Sequence, residues 1–192
     1  MDALERLKDP RIVGAALLAA RVWVGSLFVV HGLEKVTGPG SAVWVGDKAG
    51  VAVTGYLNGA LAMAPGGANA GAHPEVAGWY AALIRDVFLP NAQIFSYLVA
   101  WGEVLVGIAL VLGILTRFAA AMGVAMNLAF LFAGTSGDNV PMLLVGLPIA
   151  FSAAAGYYGV DRFLMPAVKG FVARRRGDTG RPVAGTPLPT TA

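Results

Sequence analysis

The sequence predicts an all-α integral membrane protein: a four-transmembrane-helix bundle with an amphipathic helix in a long extracytoplasmic first loop. Three observations predict it. The chain is 57% hydrophobic and 13% charged, with mean hydropathy +0.68. Four apolar stretches approach the length a bilayer requires. Lys and Arg gather on one set of loops, as they do on the cytoplasmic side of a membrane.

The first stretch, Ile12 to Leu33, has 22 residues, about 33 Å of helix. It exceeds the core of a signal peptide, and the following His-Gly-Leu-Glu-Lys carries no small-residue cleavage pattern, so a retained span is expected. The second stretch runs from about 91 to 115, the third from 118 to 134 and the fourth from 141 to 160. Only Thr116-Arg117 separates the second from the third, which makes them an antiparallel hairpin. The domain expected over 1–165 is followed by a basic cytoplasmic tail, 166–192, helical over Pro166 to Arg176 and disordered from Gly177.

Orientation follows from charge. Arg6, Lys8 and Arg11 precede the first span, Arg117 sits in the tight turn, and Arg162, Lys169, Arg174, Arg175, Arg176 and Arg181 follow the fourth. The other face carries Lys35, Lys48 and Arg85. Both termini are therefore expected in the cytoplasm, with the chain multi-pass in the cell (inner) membrane. Ala49 to Ala64 is apolar but holds Asn58, Thr54 and, well inside it, Gly55 and Gly59. A fifth span there would place the Arg-rich tail outside, so a re-entrant or surface-lying segment is preferred.

The outer loop, Val36 to Pro90, is too long for a plain connection. Within it Val76, Trp79, Tyr80, Leu83, Ile84, Val87 and Phe88 recur at helical spacing from Pro74 to Leu89, with Glu75, Arg85 and Asp86 opposite. Trp79 and Tyr80 suit a membrane–water boundary. The helix is either a flat cap on the bundle or the wall of a lateral opening for a lipid-soluble ligand such as a quinone.

Charges inside apolar spans mark a site or a structural lock. Arg21 lies about 15 Å from Arg11, Glu103 about 21 Å from Arg117 and Asn127 about 13 Å from Phe118 along their helices. The cheapest arrangement pairs Arg21 with Glu103, with Asn127 completing the hydrogen bonds. Arg21, Gly25, Phe28, Gly32 and Lys35 form one stripe, and Glu103, Gly107, Leu110 and Ile114 another. A glycine one turn beyond each charge lets the backbones approach. Such a pair either fixes helix register or serves chemistry. His31 and Glu34 are neighbours on one helical surface near the outer end, placed to exchange protons or simply solvated by headgroups.

Several classes are disfavoured. Without cysteine there is no disulfide, thiolate nucleophile or Fe–S cluster. His31 and His73 are the two histidines, the second in a glycine-rich loop, so no haem is expected. Neither a metal site, a flavin nor a nucleic-acid partner is expected on this chain.

The pattern Arg21-x3-Gly25-x2-Phe28-x2-His31-Gly32-x2-Lys35 resembles the opening of DoxX/DoxD-type membrane proteins. Glu103-x3-Gly107-x2-Leu110-x2-Gly113-x3-Arg117, Asn127 and Gly156-x4-Asp161 are similar to the later spans of that family. Trp79-Tyr80 and Val87-x2-Pro90-Asn91 lean towards the DoxD branch, the small subunits of thiosulfate:quinone oxidoreductase. The resemblance covers about 12–165. It implies a four-helix membrane bundle working with a second redox subunit or a larger membrane complex, with quinone as a diffusible substrate. Whether the chain is itself an enzyme or a non-catalytic anchor stays open, as does a homo-oligomer. In the redox reading His31, Glu34 and Glu103 handle protons, Arg21 or Lys35 holds an anionic substrate, and Asn127, Trp79 and Tyr80 border the quinone.

Overall fold

The structure, a computed structural model, describes residues 9–175. Among these residues every regular element is helical. Helix α1 (Pro10–Thr37) opens where the Asp9 carboxylate accepts from the Arg11 N–H at 2.8 Å and Pro10 takes the first helical position. It ends at Gly38, whose N–H donates to the Glu34 carbonyl. Its 28 residues rise about 42 Å, more than the thickness of a hydrocarbon core of about 30 Å.

The outer loop folds on itself. Short helix α2 (Ser41–Trp44) leads to α3 (Val51–Ala62) and then to α4 (Gly78–Leu83), which widens into a π-helical turn, Ile84–Phe88. Val53, Leu57 and Ala60 of α3 pack with Val76, Tyr80, Ala81 and Ile84 in an apolar cluster. The helix expected from Pro74 thus begins four residues late. The Val76 N–H donates to the Met63 carbonyl instead of entering a helical turn, tying this stretch to the end of α3. Trp79 and Val87, expected on the apolar face, are exposed.

Helix α5 (Ala92–Leu112) is closed by Gly113 at φ 71°, the left-handed conformation that favours glycine. Helix α6 (Thr116–Phe132) follows at once, and α7 (Asn139–Phe151) returns antiparallel to it. The stretch expected as one span from 141 to 160 is broken at Ser152. That residue turns extended, its Oγ accepts from the Ala154 N–H, and a 3-10 turn, Ala153–Gly156, replaces the last helical turns. Helix α8 (Asp161–Arg175) starts five residues before the expected Pro166, which sits inside it. The stretch from Gly177, expected to be disordered, and the basic residues Arg6, Lys8, Arg176 and Arg181 lie outside the described residues.

Helices α1, α5, α6 and α7 enclose a second apolar cluster, with Val24, Phe28, Val106, Leu110, Ala120, Met142 and Ile149 at its centre. Large apolar side chains also cover the outside: Trp23, Leu105, Phe118, Leu144 and Phe151 are all exposed. The buried polar side chains Arg21, Ser96, Glu103, Thr116, Asn127 and Asp161 are inside. Apolar outside and polar inside is the distribution a lipid solvent selects. Helices α1 and α5 are long and apolar enough to cross a membrane, whereas α6 and α7, with 17 and 13 residues, are shorter apolar helices.

Glycines bring α1 against α5. A Cβ at Gly25 would lie 2.9 Å from the Gly107 carbonyl oxygen, and one at Gly107 would lie 2.6 Å from the Val29 nitrogen. At Gly32 a Cβ would meet the Val104 nitrogen at 2.7 Å. None of the three positions has room for a side chain, so the stripe read from the sequence is the α1–α5 seam.

Candidate functional site

Arg21 does not pair with Glu103. Its guanidinium donates to the Ala155 carbonyl at 3.2 Å and to the Tyr158 carbonyl, at the opposite end of the bundle from the long loop. The break after Phe151 explains the choice. Carbonyls that leave a helix need donors, and in a dry interior a guanidinium is the strongest available. Gly113 and Gly159 make the space, since a Cβ at either would press on the guanidinium. Beside it Asp161 accepts from the Leu115 and Thr116 N–H groups, each at 2.7 Å, capping α6. The Val160 and Asp161 N–H groups in turn donate to Leu112 and Gly113 carbonyls at the end of α5. Arg21 and Asp161 thus hold four chain segments together, and Arg21 is only 1% exposed. This end of the molecule is a structural lock.

Glu103 meets Lys35 instead. Lys35 Nζ lies 2.6 Å from Glu103 Oε2, with the lysine side chain 19% and the glutamate side chain 4% exposed. A second Nζ–H reaches the His31 carbonyl at 3.3 Å, and the ammonium stands 5.2 Å from the Trp44 ring centroid. Both residues sit on the stripes expected to face each other, but one α1 position near the loop end is used in place of the other near the turn end. Asn127 joins neither charge. It is buried, and its amide nitrogen and oxygen have no hydrogen-bond partner among the described residues.

Around Lys35 and Glu103 opens a cavity of about 840 Å³. Its floor is aromatic: Trp44, Tyr56, Tyr80, Phe88, Phe95 and Phe130. The polar end holds Lys35, Glu103, His31 and Asp138, with His31 Nε2 3.9 Å from Asp138 Oδ2 across the bundle. Tyr56 and Thr135 hydroxyls share a hydrogen bond at 2.7 Å, and Tyr80 donates to the Ala129 carbonyl at 2.8 Å. Burial, with Tyr56 adding to it, pushes the Tyr80 phenol up to about 12, so it keeps its proton and its bond to α6. A more open hollow of about 500 Å³, next to Gly50 and Gln93, is lined by no ionisable side chain.

Of the residues singled out from the sequence, the cavity brings together His31, Lys35, Glu103 and Tyr80. Glu34 is exposed, and Trp79 points outward against Phe132. Arg21 belongs to the lock, and Asn127 lies off the cavity wall. Trp44, Tyr56, Thr135 and Asp138 were not foreseen. Each comes from a segment read as loop or surface, and the one available signal was the aromatic content of the outer loop. Among the described residues no three His, Asp or Glu side chains stand together as a metal site.

The chain is thus a helical membrane protein with an aromatic, polar-ended cavity lined in part by its folded loop. Residues 16–135, well over half of the chain, match the DoxX family model, and the chain belongs to the DoxX family. Neither a curated protein nor a solved structure matches it.

Proposed function

We propose that this protein is a membrane subunit of a quinone-linked redox complex, with four crossings and both termini in the cytoplasm, and that its cavity takes a quinone headgroup. The DoxD-like pattern favours thiosulfate or another sulfur compound as the electron source, handled by a partner subunit. The observation that carries the reading is the Lys35–Glu103 pair at the head of an aromatic pocket of ligand size. An ammonium has three N–H donors. Two are directed at Glu103 and the His31 carbonyl, which leaves one for a quinone carbonyl oxygen. Reduction of a quinone to the quinol takes two electrons and two protons. The partner supplies the electrons, while Glu103 and His31 are placed to pass protons, His31 in exchange with water beside Asp138.

The test removes the polar head without leaving a bare charge. Lys35→Met with Glu103→Leu keeps volume and apolar packing, and replacement of both partners is tolerated where removal of one is not. In nanodiscs this double variant should bind a long-chain quinone at least ten-fold more weakly than the parent. Equal binding would overturn the reading.

A second reading, a non-catalytic anchor for a larger redox assembly, is favoured by one observation. The hydrogen bonds of Arg21 go to the Ala155 and Tyr158 backbone carbonyls, as those of a structural element would, although its buried Nε–H has no partner among the described residues. It predicts that the double variant still co-purifies with its partner and supports full turnover.

A further inference from the structure

The cavity has a side opening as well as a polar end. Leu98 and Leu105 of α5 and Met122 of α6 line it, yet they are 59%, 65% and 41% exposed. Between them stands Gly102, at the middle of α5 and about 15 Å from either end of that helix. A Cβ at Gly102 would touch nothing nearer than the Met126 Cε at 3.7 Å. The contrast with Gly107, five residues on, is direct: there a Cβ would collide with the α1 backbone. One glycine closes α5 on α1, and the other leaves a gap between α5 and α6.

The rim of this gap is leucine and methionine at mid-helix, so its neighbour is hydrocarbon and not water. The cavity behind it, about 840 Å³, is the size of a site for a drug-sized molecule. That is room for a headgroup and the first part of a chain, and the remainder of a long tail has to leave. The other end of the cavity, at His31 and Asp138, is polar. We infer that the gap beside Gly102 is a lateral portal through which the alkyl or isoprenoid tail of a membrane-dissolved quinone passes, its head at Lys35 and Glu103. The identity of the head rests on the function proposed above; the portal itself rests on Gly102 and its rim.

The experiment uses Trp44 as a reporter inside the cavity. The chain has four tryptophans, and Trp23→Phe, Trp79→Phe and Trp101→Phe leave Trp44 alone. Full-length protein in nanodiscs is titrated with a decyl-tailed benzoquinone and with benzoquinone lacking a tail. The portal predicts saturable quenching by the tailed quinone, at least ten-fold weaker in Gly102→Phe, with the tail-less quinone equal in both. Met122→Ala, which widens the rim, should speed association of the tailed quinone several-fold, and gives the same test should Gly102→Phe fold poorly. Tailed-quinone quenching unchanged by both substitutions overturns the portal. Quenching by neither quinone overturns the headgroup reading, and a phospholipid brominated along its chain then decides the portal alone. If that lipid quenches Trp44 and Gly102→Phe relieves it, the gap admits acyl chains and the assignment to a quinone tail is wrong. If Gly102→Phe changes nothing, the portal is wrong as well.

Discussion

Lys35→Met by itself strands the Glu103 carboxylate in a setting where 4% of its side chain is exposed. Breaking one partner of a buried pair costs about 3–5 kcal/mol. Thermal unfolding in detergent should show that loss, and Glu103→Leu added to it should restore most of the stability. Arg21→Met deprives the Ala155 and Tyr158 carbonyls of their donor, at about 1–3 kcal/mol for each group left bare. It should lower the unfolding temperature while quinone binding in the surviving folded protein stays within two-fold, because the lock and the cavity lie at opposite ends. The charges inside the spans were legible in the sequence, and so was their cost. Their pairing was not. Arg21 was matched to Glu103 because each was the strongest partner available for the other in a continuous helical bundle. The break at Ser152, which exposes two carbonyls, leaves no hydrophobic signature, since Ala153–Ala155 continue the apolar run.

At the scale of elements, the glycine spacing transferred from sequence to structure without change. Gly25, Gly32 and Gly107 lie on the faces expected, and the α1–α5 seam is built on them. Gly107→Val should therefore separate the helices and cost about 1–3 kcal/mol through overpacking, read as a fall in unfolding temperature, whereas Gly102→Ala should be neutral or slightly stabilising. The end of the hairpin makes a second test. Asp161 caps α6 through two backbone N–H groups, so Asp161→Ala should cost about 2 kcal/mol and Asp161→Asn less. Sequence periodicity put Tyr80 and Ile84 on the side that is buried, but it also put Trp79 and Val87 there, which are exposed, and it misplaced the start of the helix. Val76 is committed to a tertiary bond with Met63, and nothing in a local pattern reports that.

Across the whole molecule, the chain turns a soluble protein's distribution inside out, with buried Arg, Glu, Asn and Asp beneath a coat of Trp, Leu and Phe. That inversion was visible as composition and as charged residues within apolar runs. The cavity was not, because part of its wall comes from outer-loop segments, with Trp44, Tyr56, Tyr80 and Phe88 among them, whose arrangement depends on contacts distant in sequence, such as Tyr80 with Ala129. The proposed topology of four crossings predicts that fluorescent-protein fusions after Arg175 glow in the cytoplasm, while an alkaline phosphatase fusion near Gly71 is active outside. A phosphatase active at both positions would contradict it.

The proposed function requires a quinone headgroup seated against the Lys35–Glu103 pair. Photolabelling native membranes with an azidoquinone, followed by peptide mapping, tests it most directly. Label is expected on the α1–α2 stretch from His31 to Trp44 and on α5 around Glu103, suppressed by excess long-chain quinone and by the Lys35→Met, Glu103→Leu double variant. Label confined to other segments, or undiminished by competitor, would contradict it.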